Sequence, residues 1–411
     1  MSSIQPKIAI HCFSYDKITE NFRPIAHIED QIFNINETNY NQNLEQLKFG
    51  LEKNAFYISR CISKAATFKL FNWKLYYKLI TDLHINLSTI TAHYFKEYIR
   101  KYKDPSYISY DFNENYTLSD IESVFIPKTP EYEASHNNIS YFKSLTIDDQ
   151  LIKRETWIPL DFEFFFTEKC GQKVNLLDIA ALCGSADVFE YLLANGFKIT
   201  SRSTYFALIG GNIDISMKCL NVIWMSDAIH VAVAAHQNNL LNYLVENGFN
   251  IRIPLSIIFY EFNTYAFGNL VGQNIAKIDK MMSKFYIKNL TASIRFNLAC
   301  YANYFIENNV ADNVNEFGYS NLCISCAYAD YEIIEKLIQK NLDVNHQTDD
   351  GECPFTIALS RNRFDVCNLL ISNGCDFLSK PDDVQKLLLN LKLQNKQKAV
   401  QYIESKMNSQ K

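Results

Sequence analysis

Three segments of the chain repeat one internal pattern. They start at Asn175, Gly318 and Gly351, and the last two starts lie 33 residues apart. Each segment contains small residues, a residue suited to a turn, an apolar run such as Tyr191–Leu193, and a second turn residue. A short period of this kind predicts consecutive helix pairs, because one pair cannot bury its apolar faces alone and must stack on its neighbours.

The repeat can be aligned from about residue 174 onward on the residue that turns the chain between the two helices of a pair. The predicted turn residues are Gly184, Gly211, His236, Asn263, Asn297, Ala329 and Asn362. A second turn is predicted after the apolar helix, where a left-handed residue commonly ends a helix, at Gly196, Gly248, Asn309, Asn341 and Gly374.

The two helices of each pair differ in composition. The first helix carries a small residue where it packs closely against its neighbours, at Ala180, Ala207, Ala232, Ser325 and Ala358. The second helix carries Leu, Ile, Phe and Tyr, which can cover the outer side of the stack. Each buried Leu or Ile stabilises the fold by roughly 1.5–3 kcal/mol, so that stacking supplies the core of the array.

The first part of the chain is helical in pattern but does not repeat. Its first 35 residues have no clear period, whereas apolar residues recur at helical spacing from Leu44 to Ile62. Two more amphipathic helices are predicted at 68–83 and 88–103, and prolines at 104–160 predict a loop-rich connector with short helices. We predict a helical region with its connector at 1–140, a repeat array at 141–380 and a C-terminal capping helix or helix pair at 381–411.

Composition favours a helical protein of a reducing compartment. The chain has 411 residues, of which 48% are hydrophobic and only 12 are Gly and 9 Pro. A net charge of −5 without a basic block gives no electrostatic support for binding nucleic acid or a membrane surface. The 11 Cys follow no disulfide framework, and neither a signal peptide nor a membrane span is evident, so we expect a cytoplasmic protein, with the nucleus left open.

Residues 351–377, GECPFTIALSRNRFDVCNLLISNGCDF, resemble the ankyrin-repeat family. That family begins a unit with Gly-x-Thr-Pro-Leu-His; here Pro354 is kept, while Cys353, Phe355 and Thr356 replace Thr, Leu and His. The intact motif occurs in no unit, so the chain resembles the divergent, multi-repeat ankyrin proteins that are abundant in some parasitic protists. The resemblance implies an all-α fold, an ankyrin-repeat solenoid of about seven helix pairs preceded by a helical N-terminal region.

The resemblance also implies where a partner binds. Ankyrin arrays bind proteins through the hairpin fingers between units and through the exposed side of the first helices. These positions correspond here to Glu316, Phe317, Tyr319, Gln347, Asp349, Asp350 and Glu352. Exposed aromatic side chains ringed by charge are typical of interface hot spots, although carboxylates at such positions can also be simply solvated turn residues.

The sequence predicts no catalytic residues, no cofactor and no metal site. Cys323 and Cys326 have the spacing of half a zinc site, but no second pair lies at the required distance, so we interpret them as packed core thiols. His230 and His236 are interpreted as turn or surface residues rather than ligands. A Gly-rich phosphate-binding loop is absent from the sequence.

Together these patterns predict a non-enzymatic protein–protein interaction scaffold or adaptor that binds a protein partner along the concave ankyrin groove. One alternative is a substrate-recruiting adaptor of a ubiquitin ligase that docks through the N-terminal helices. A second alternative is a small enzyme domain within residues 1–150. The identity of the partner cannot be read from a repeat pattern, because fold does not determine function.

Overall fold

The structure, a computed structural model, describes residues 13–104, 124–158, 172–249, 255–272, 290–308, 314–315 and 317–409. Its internal contacts divide the chain into two compact units, Met1–Lys277 and Ile278–Lys411. Most of the described residues are helical, and the two short strands form one antiparallel pair. The predicted all-α class is confirmed.

The first unit begins with four helices that precede the repeats. These are α1 (Arg23–Phe33), α2 (Tyr40–Phe68), α3 (Trp73–Asp82) and α4 (His93–Lys103). The last three correspond to the three predicted helices, whereas α1 was not predicted, although Ile25, Ile28 and Ile32 are spaced to share one face and are buried. Pro24 lies at the start of α1, where the missing N–H costs no hydrogen bond.

A short segment then leads into the repeats. It contains α5 (Pro130–Ser135), α6 (Ile139–Lys143) and α7 (Asp149–Ile152), followed by β1 (Thr156–Ile158), which pairs with β2 (Gln172–Val174). These short helices fit the predicted connector. The helices α5 and α6 form a hairpin with Asn137 in the left-handed region at its turn, which is the same plan as a repeat unit, and they pack on the first repeat.

Four helix pairs of the predicted repeat follow in the first unit. They are α8 (Leu176–Cys183) with α9 (Ala186–Ala194), α10 (Ser201–Gly210) with α11 (Ile213–Cys219), α12 (Met225–Ala234) with α13 (Asn238–Glu246), and α14 (Leu255–Tyr260) with α15 (Thr264–Gly272). First helices pack on first helices, in the order α8, α10, α12 and α14. Ala180, Ala207 and Ala232 are fully buried in these contacts, as predicted.

The second unit continues the same plan. Residues 290–295 are helical and precede α16 (Ala299–Glu307), and two complete pairs follow: α17 (Asn321–Tyr328) with α18 (Tyr331–Gln339), and α19 (Pro354–Ser360) with α20 (Phe364–Ser372). The described part of the chain thus contains the expected seven helix pairs. A final hairpin of α21 (Pro381–Leu393) and α22 (Gln397–Ser409) buries Val384 and Ile403 but leaves Leu389 and Leu393 exposed on α21.

Most of the predicted turns between the two helices of a pair adopt the left-handed conformation. Gly184, Gly211, His236, Asn297 and Asn362 have φ between 53° and 77°. Among the second set, Gly196, Gly248, Asn341 and Gly374 also have positive φ, and Asn309 lies outside the described residues. Glycine and asparagine tolerate this conformation better than other residues, which explains why the sequence pattern could identify the turns.

Two of the predicted turn residues, Asn263 and Ala329, lie between the helices of their pairs but are not left-handed. The left-handed residue of the fourth unit is Phe262 rather than Asn263, because the Asn263 side chain accepts a hydrogen bond from the Ala266 N–H at the start of α15. Ala329 has an extended backbone, with φ −84° and ψ 158°. An alanine Cβ clashes with the backbone in the left-handed region, so this unit connects its helices through an extended residue.

Polar side chains at the turns hold neighbouring repeats together. In the first unit, an amide at the start of three of the four second helices donates to a carbonyl near the end of the previous first helix: Asn212 to Gly184 at 3.3 Å, Gln237 to Ile209, and Asn263 to Val233 at 2.9 Å. In the second unit Arg363 donates in the same way to the carbonyls of Ser325 and Cys326, at 3.2 and 3.3 Å. These bonds add a side-chain donor from the neighbouring repeat to carbonyls at the helix ends, where intrahelical partners run out.

The N-terminal helices pack on the last two repeats of the first unit. The His236 ring stacks on Phe33 of α1 with 3.5 Å between ring centroids, and Phe262 contacts Tyr57 of α2 edge to face. Lys64 of α2 pairs with Glu261. His236 is therefore a turn residue, as predicted, but it is buried and not on the surface. Burial lowers the pKa of His236 to about 3, so the ring is neutral in this contact.

A buried carboxyl group lies at the centre of this packing. Glu29 of α1 is 1% exposed and accepts hydrogen bonds from the Tyr57 hydroxyl and from the hydroxyl and N–H of Thr264, the last at 2.6 Å. Burial raises the pKa of Glu29 to about 8 in spite of these donors. The first helix of the chain is thus attached to the last described helix of the unit.

Candidate functional site

Two neighbouring fingers of the second unit form the framework of the predicted site. The first finger comprises the described residues 314–315 and 317–320, and its turn is closed by hydrogen bonds between the backbones of Asn315, Gly318 and Tyr319. The second finger comprises 343–353, and its turn is closed between Thr348, Gly351 and Glu352. Both turns need a glycine, because Gly318 and Gly351 have φ of +77°.

The two fingers are in direct contact. A Cβ atom on Gly318 would lie 2.6 Å from the backbone nitrogen of Asp349, so only glycine allows this approach. The Gly318 carbonyl oxygen lies 2.7 Å from His346 Nε2, and the Tyr319 hydroxyl donates to Glu352 at 2.7 Å. The fingers therefore hold each other in place, which gives the side chains at their tips a defined position.

The predicted partner-binding residues occupy different parts of these fingers. Phe317 is 60% exposed, and Gln347, Asp349 and Asp350 are exposed around the second turn. Tyr319 and Glu352 are half-buried and bonded to each other across the fingers. This hydrogen bond raises the pKa of Tyr319 to about 12, so the hydroxyl remains a donor at neutral pH. Glu316 lies outside the described residues.

A cavity of about 270 Å³ lies between the fingers and the first helices α17 and α19. We call it the finger groove. The side chains that give it its character are Arg295, Phe317, Tyr319, Tyr328, Glu352 and Arg361. Three of the seven predicted residues therefore line one concave surface, while Gln347, Asp349 and Asp350 are not among its lining residues.

Sequence reasoning missed Arg295, Tyr328 and Arg361. Each lies at the C-terminal end of a helix that comes first in its pair: Arg295 ends the helix at 290–295, Tyr328 ends α17, and Arg361 follows α19. The Arg361 guanidinium lies over the Tyr328 ring, 4.7 Å from its centroid, and its Nη2 is 3.4 Å from the Tyr328 hydroxyl. The 33-residue period was the available signal, because Tyr328 and Arg361 occupy equivalent positions in successive units.

The thiols near the groove are structural. Cys323 and Cys326 are buried thiols outside any disulfide, as the interpretation of core thiols predicted, and burial raises the pKa of Cys326 well above its usual value. A thiol in this state is a poor nucleophile and a poor metal ligand. Within the described ranges, no three His, Cys, Asp or Glu residues are grouped so that they could hold a metal ion.

A second and larger cavity lies in the first unit. It has a volume of about 390 Å³ and is lined by Phe68, Lys69 and Phe71 on one side and by the ends of α8 and α10 on the other. Burial lowers the pKa of Lys69 to about 8. None of the predicted partner-binding residues that the structure describes lines this cavity.

The comparisons with known proteins divide the repeats into two families. Residues 290–381 match the ankyrin repeats, in three copies. This range contains both fingers and the finger groove, so the site lies on ankyrin repeats. Residues 194–271 match a family described as a domain of unknown function, DUF3447, which covers most of the repeats of the first unit. No curated protein matches the chain.

These findings support the coarse interpretation of the chain. Ankyrin repeats are interaction modules that bind other proteins, and the residues predicted for contact with a partner include three that line the finger groove. The relation to proteins of parasitic protists remains a prediction. None of the helices in the described ranges combines the length and the apolar character that crossing a bilayer requires.

Proposed function

We propose that the protein is a non-enzymatic interaction scaffold or adaptor, and that it binds a protein partner in the finger groove. The observation that carries this proposal is Phe317, a large apolar side chain that is 60% exposed beside a cavity with aromatic walls. Exposed aromatic residues that become buried on association dominate the binding energy of many interfaces.

The rigidity of the fingers supports the same conclusion. Ordering a flexible side chain or loop on binding costs free energy, typically about 0.5–1.5 kcal/mol for each immobilised side chain. The bonds between Tyr319 and Glu352 and between His346 and Gly318 hold the fingers before a partner arrives. The groove is therefore preorganised, so that little of the binding free energy is lost in ordering the fingers.

The acidic tip of the second finger extends the proposed surface. Asp349 and Asp350 are exposed beside the groove, and charges at the rim of an interface mainly affect association rate and partner choice. We propose that they discriminate between partners, whereas Phe317 supplies affinity. We propose the cytoplasm as the compartment, with the nucleus still open, because the 11 Cys of the chain follow no disulfide framework.

The test is affinity capture with the full-length protein, followed by mass spectrometry. We expect Phe317→Ala to lose partners that the unaltered protein retains. The matched control is Phe49→Ala, because Phe49 is 92% exposed on α2, outside the finger groove. Equal loss from both variants, or full retention by Phe317→Ala, would contradict the proposal.

A charge reversal tests the rim separately. Asp349→Lys combined with Asp350→Lys is expected to change which partners are captured, and Asp382→Lys on the exposed start of α21 serves as the control. If the captured set is the same for both variants, the carboxylates are solvated turn residues and are removed from the proposed site.

The ubiquitin-ligase alternative remains a prediction. It requires a free surface on the N-terminal helices, yet α1 and α2 bury Phe33, Tyr57 and Glu29 against the repeats of the first unit. A fragment of residues 1–140 would expose these side chains and capture proteins unspecifically. The full-length chain is therefore the appropriate bait, and ligase subunits that persist in the Phe317→Ala capture would favour the alternative.

A further inference from the structure

Two positive charges in the finger groove have no carboxylate partner among the residues that the structure describes. Arg295 is exposed, and Arg361 is held over the Tyr328 ring. In the described part of the chain, neither guanidinium forms an ion pair with a carboxylate. Arg361 uses one N–H towards Tyr328, and a guanidinium has five, so several donors remain for a ligand.

Among the described lining residues, the one carboxylate is already engaged. Glu352 accepts the hydrogen bond from the Tyr319 hydroxyl at 2.7 Å, and this contact joins the two fingers. With two arginines and one glutamate, these described residues carry an excess of one positive charge, in a protein whose net charge is −5. The groove is thus locally opposite in sign to the whole protein and to the acidic tip at Asp349 and Asp350.

Arg361 is exposed, and the only described contacts of its guanidinium are with Tyr328. The guanidinium lies over the Tyr328 ring and its Nη2 is 3.4 Å from the Tyr328 hydroxyl, so the other N–H groups can pair with a carboxylate through two parallel hydrogen bonds. Phe317 and Ile324 supply an apolar surface in the same cavity.

We propose that the finger groove binds an extended acidic segment of a partner protein, with one Asp or Glu side chain paired to Arg361 and Arg295 and a neighbouring apolar side chain against Phe317. This inference rests on the proposed function and adds the chemistry of the partner. We commit to a carboxylate because it is the anion that unmodified proteins carry and because it accepts two parallel hydrogen bonds from one guanidinium; the phosphoserine peptide below tests this choice.

The experiment is a selection of random, unmodified dodecapeptides displayed on phage, with the immobilised full-length protein as the target. We expect the selected peptides to share an Asp or Glu next to an apolar residue. The best peptide is then synthesised with a fluorescent label, and its affinity is measured by anisotropy together with versions in which the acidic residue is replaced by its amide or by phosphoserine.

Variants of the protein assign the contact. Arg361→Met is expected to weaken binding at least about tenfold, because it removes a charge-assisted bidentate pair. The affinity of Arg361→Lys is expected to lie between those of Arg361→Met and the unaltered protein. Lys398→Met, which removes an exposed charge on α22, is the matched control and should bind normally. Thermal unfolding of each variant shows whether the fold is intact, and Arg295→Met, away from the Tyr328 stack, repeats the test independently.

The outcomes separate the two proposals. If the selected peptides depend on Phe317 but carry no acidic residue, or if Arg361→Met and Arg295→Met both bind as tightly as Lys398→Met, the acidic partner is wrong and the groove stands. Tighter binding of the phosphoserine peptide would overturn the choice of a carboxylate. If no selected peptide depends on Phe317, the proposed function itself fails.

Discussion

The buried carboxyl group of Glu29 makes the stability of the first unit depend on pH, and we predict that Glu29→Gln removes this dependence. Burial raises its pKa from 4.5 to about 8 in the folded protein. A glutamine keeps the shape of the protonated carboxyl group and its ability both to donate and to accept towards Tyr57 and Thr264. The variant should therefore behave as if the group were always neutral.

The sign follows from proton linkage. Because the folded pKa is raised, the favourable contribution of the neutral group is fully present below pH 4.5 and is lost as pH rises through about 8. Each pKa unit corresponds to about 1.4 kcal/mol, so that the unaltered protein should be about 3 kcal/mol less stable than Glu29→Gln at neutral pH, and nearly equal to it in acid.

The assay is urea unfolding at several pH values, followed by fluorescence of Trp73, which is buried in the N-terminal helices. His236 has a lowered pKa, so it reduces stability as pH falls from 6.5 through about 3, in both proteins alike. The difference between the two proteins cancels this effect. Glu37→Gln, at an exposed position, is the control. A difference that stays constant from pH 4.5 to 8 would refute the reasoning.

Four further substitutions test the packing. Gly318→Ala should lower stability by about 2 kcal/mol and abolish peptide binding. Gly351→Ala has the same φ but open space around it, so it should lower stability by only about 1 kcal/mol. Equal losses of stability in thermal unfolding would show that contact between the fingers is unimportant. Lys69→Met should raise stability at neutral pH because it removes a buried, unpaired charge, and an unchanged urea midpoint would contradict this. Asn263→Ala should lower stability by about 1–2 kcal/mol, measurable by calorimetry, since it removes a helix cap and a bond to Val233; no loss would mean that water replaces both.

The sequence predicted the repeats because their requirements are local. A left-handed turn selects Gly or Asn, and a close contact between first helices selects Ala, so Gly184, Asn362 and Ala180 could be read directly. The turns at Phe262 and Ala329 broke this pattern. In the first, a side-chain cap on the next residue decided the geometry, and in the second an alanine was accommodated by an extended backbone.

The finger groove was predictable only in part. Phe317, Tyr319 and Glu352 follow from the position of the fingers in an ankyrin repeat, because the period fixes where each finger begins. Arg295 and Arg361 come from different repeats of the second unit, and the cavity that they share depends on how the first helices of those repeats stack. The packing of α1 on α15 could not be predicted at all, because no local pattern encodes a contact between Glu29 and Thr264.

The bond between Glu29 and Thr264 also affects the order in which parts of the chain can fold during synthesis. The two residues are 235 positions apart, so during synthesis at about 5–20 residues per second Thr264 is added on the order of 10–50 s after Glu29. Throughout that interval α1 exists on the ribosome without the helix that covers it. Helix α1 is therefore synthesised well before it can reach its final place, and chaperones have that interval in which to bind it.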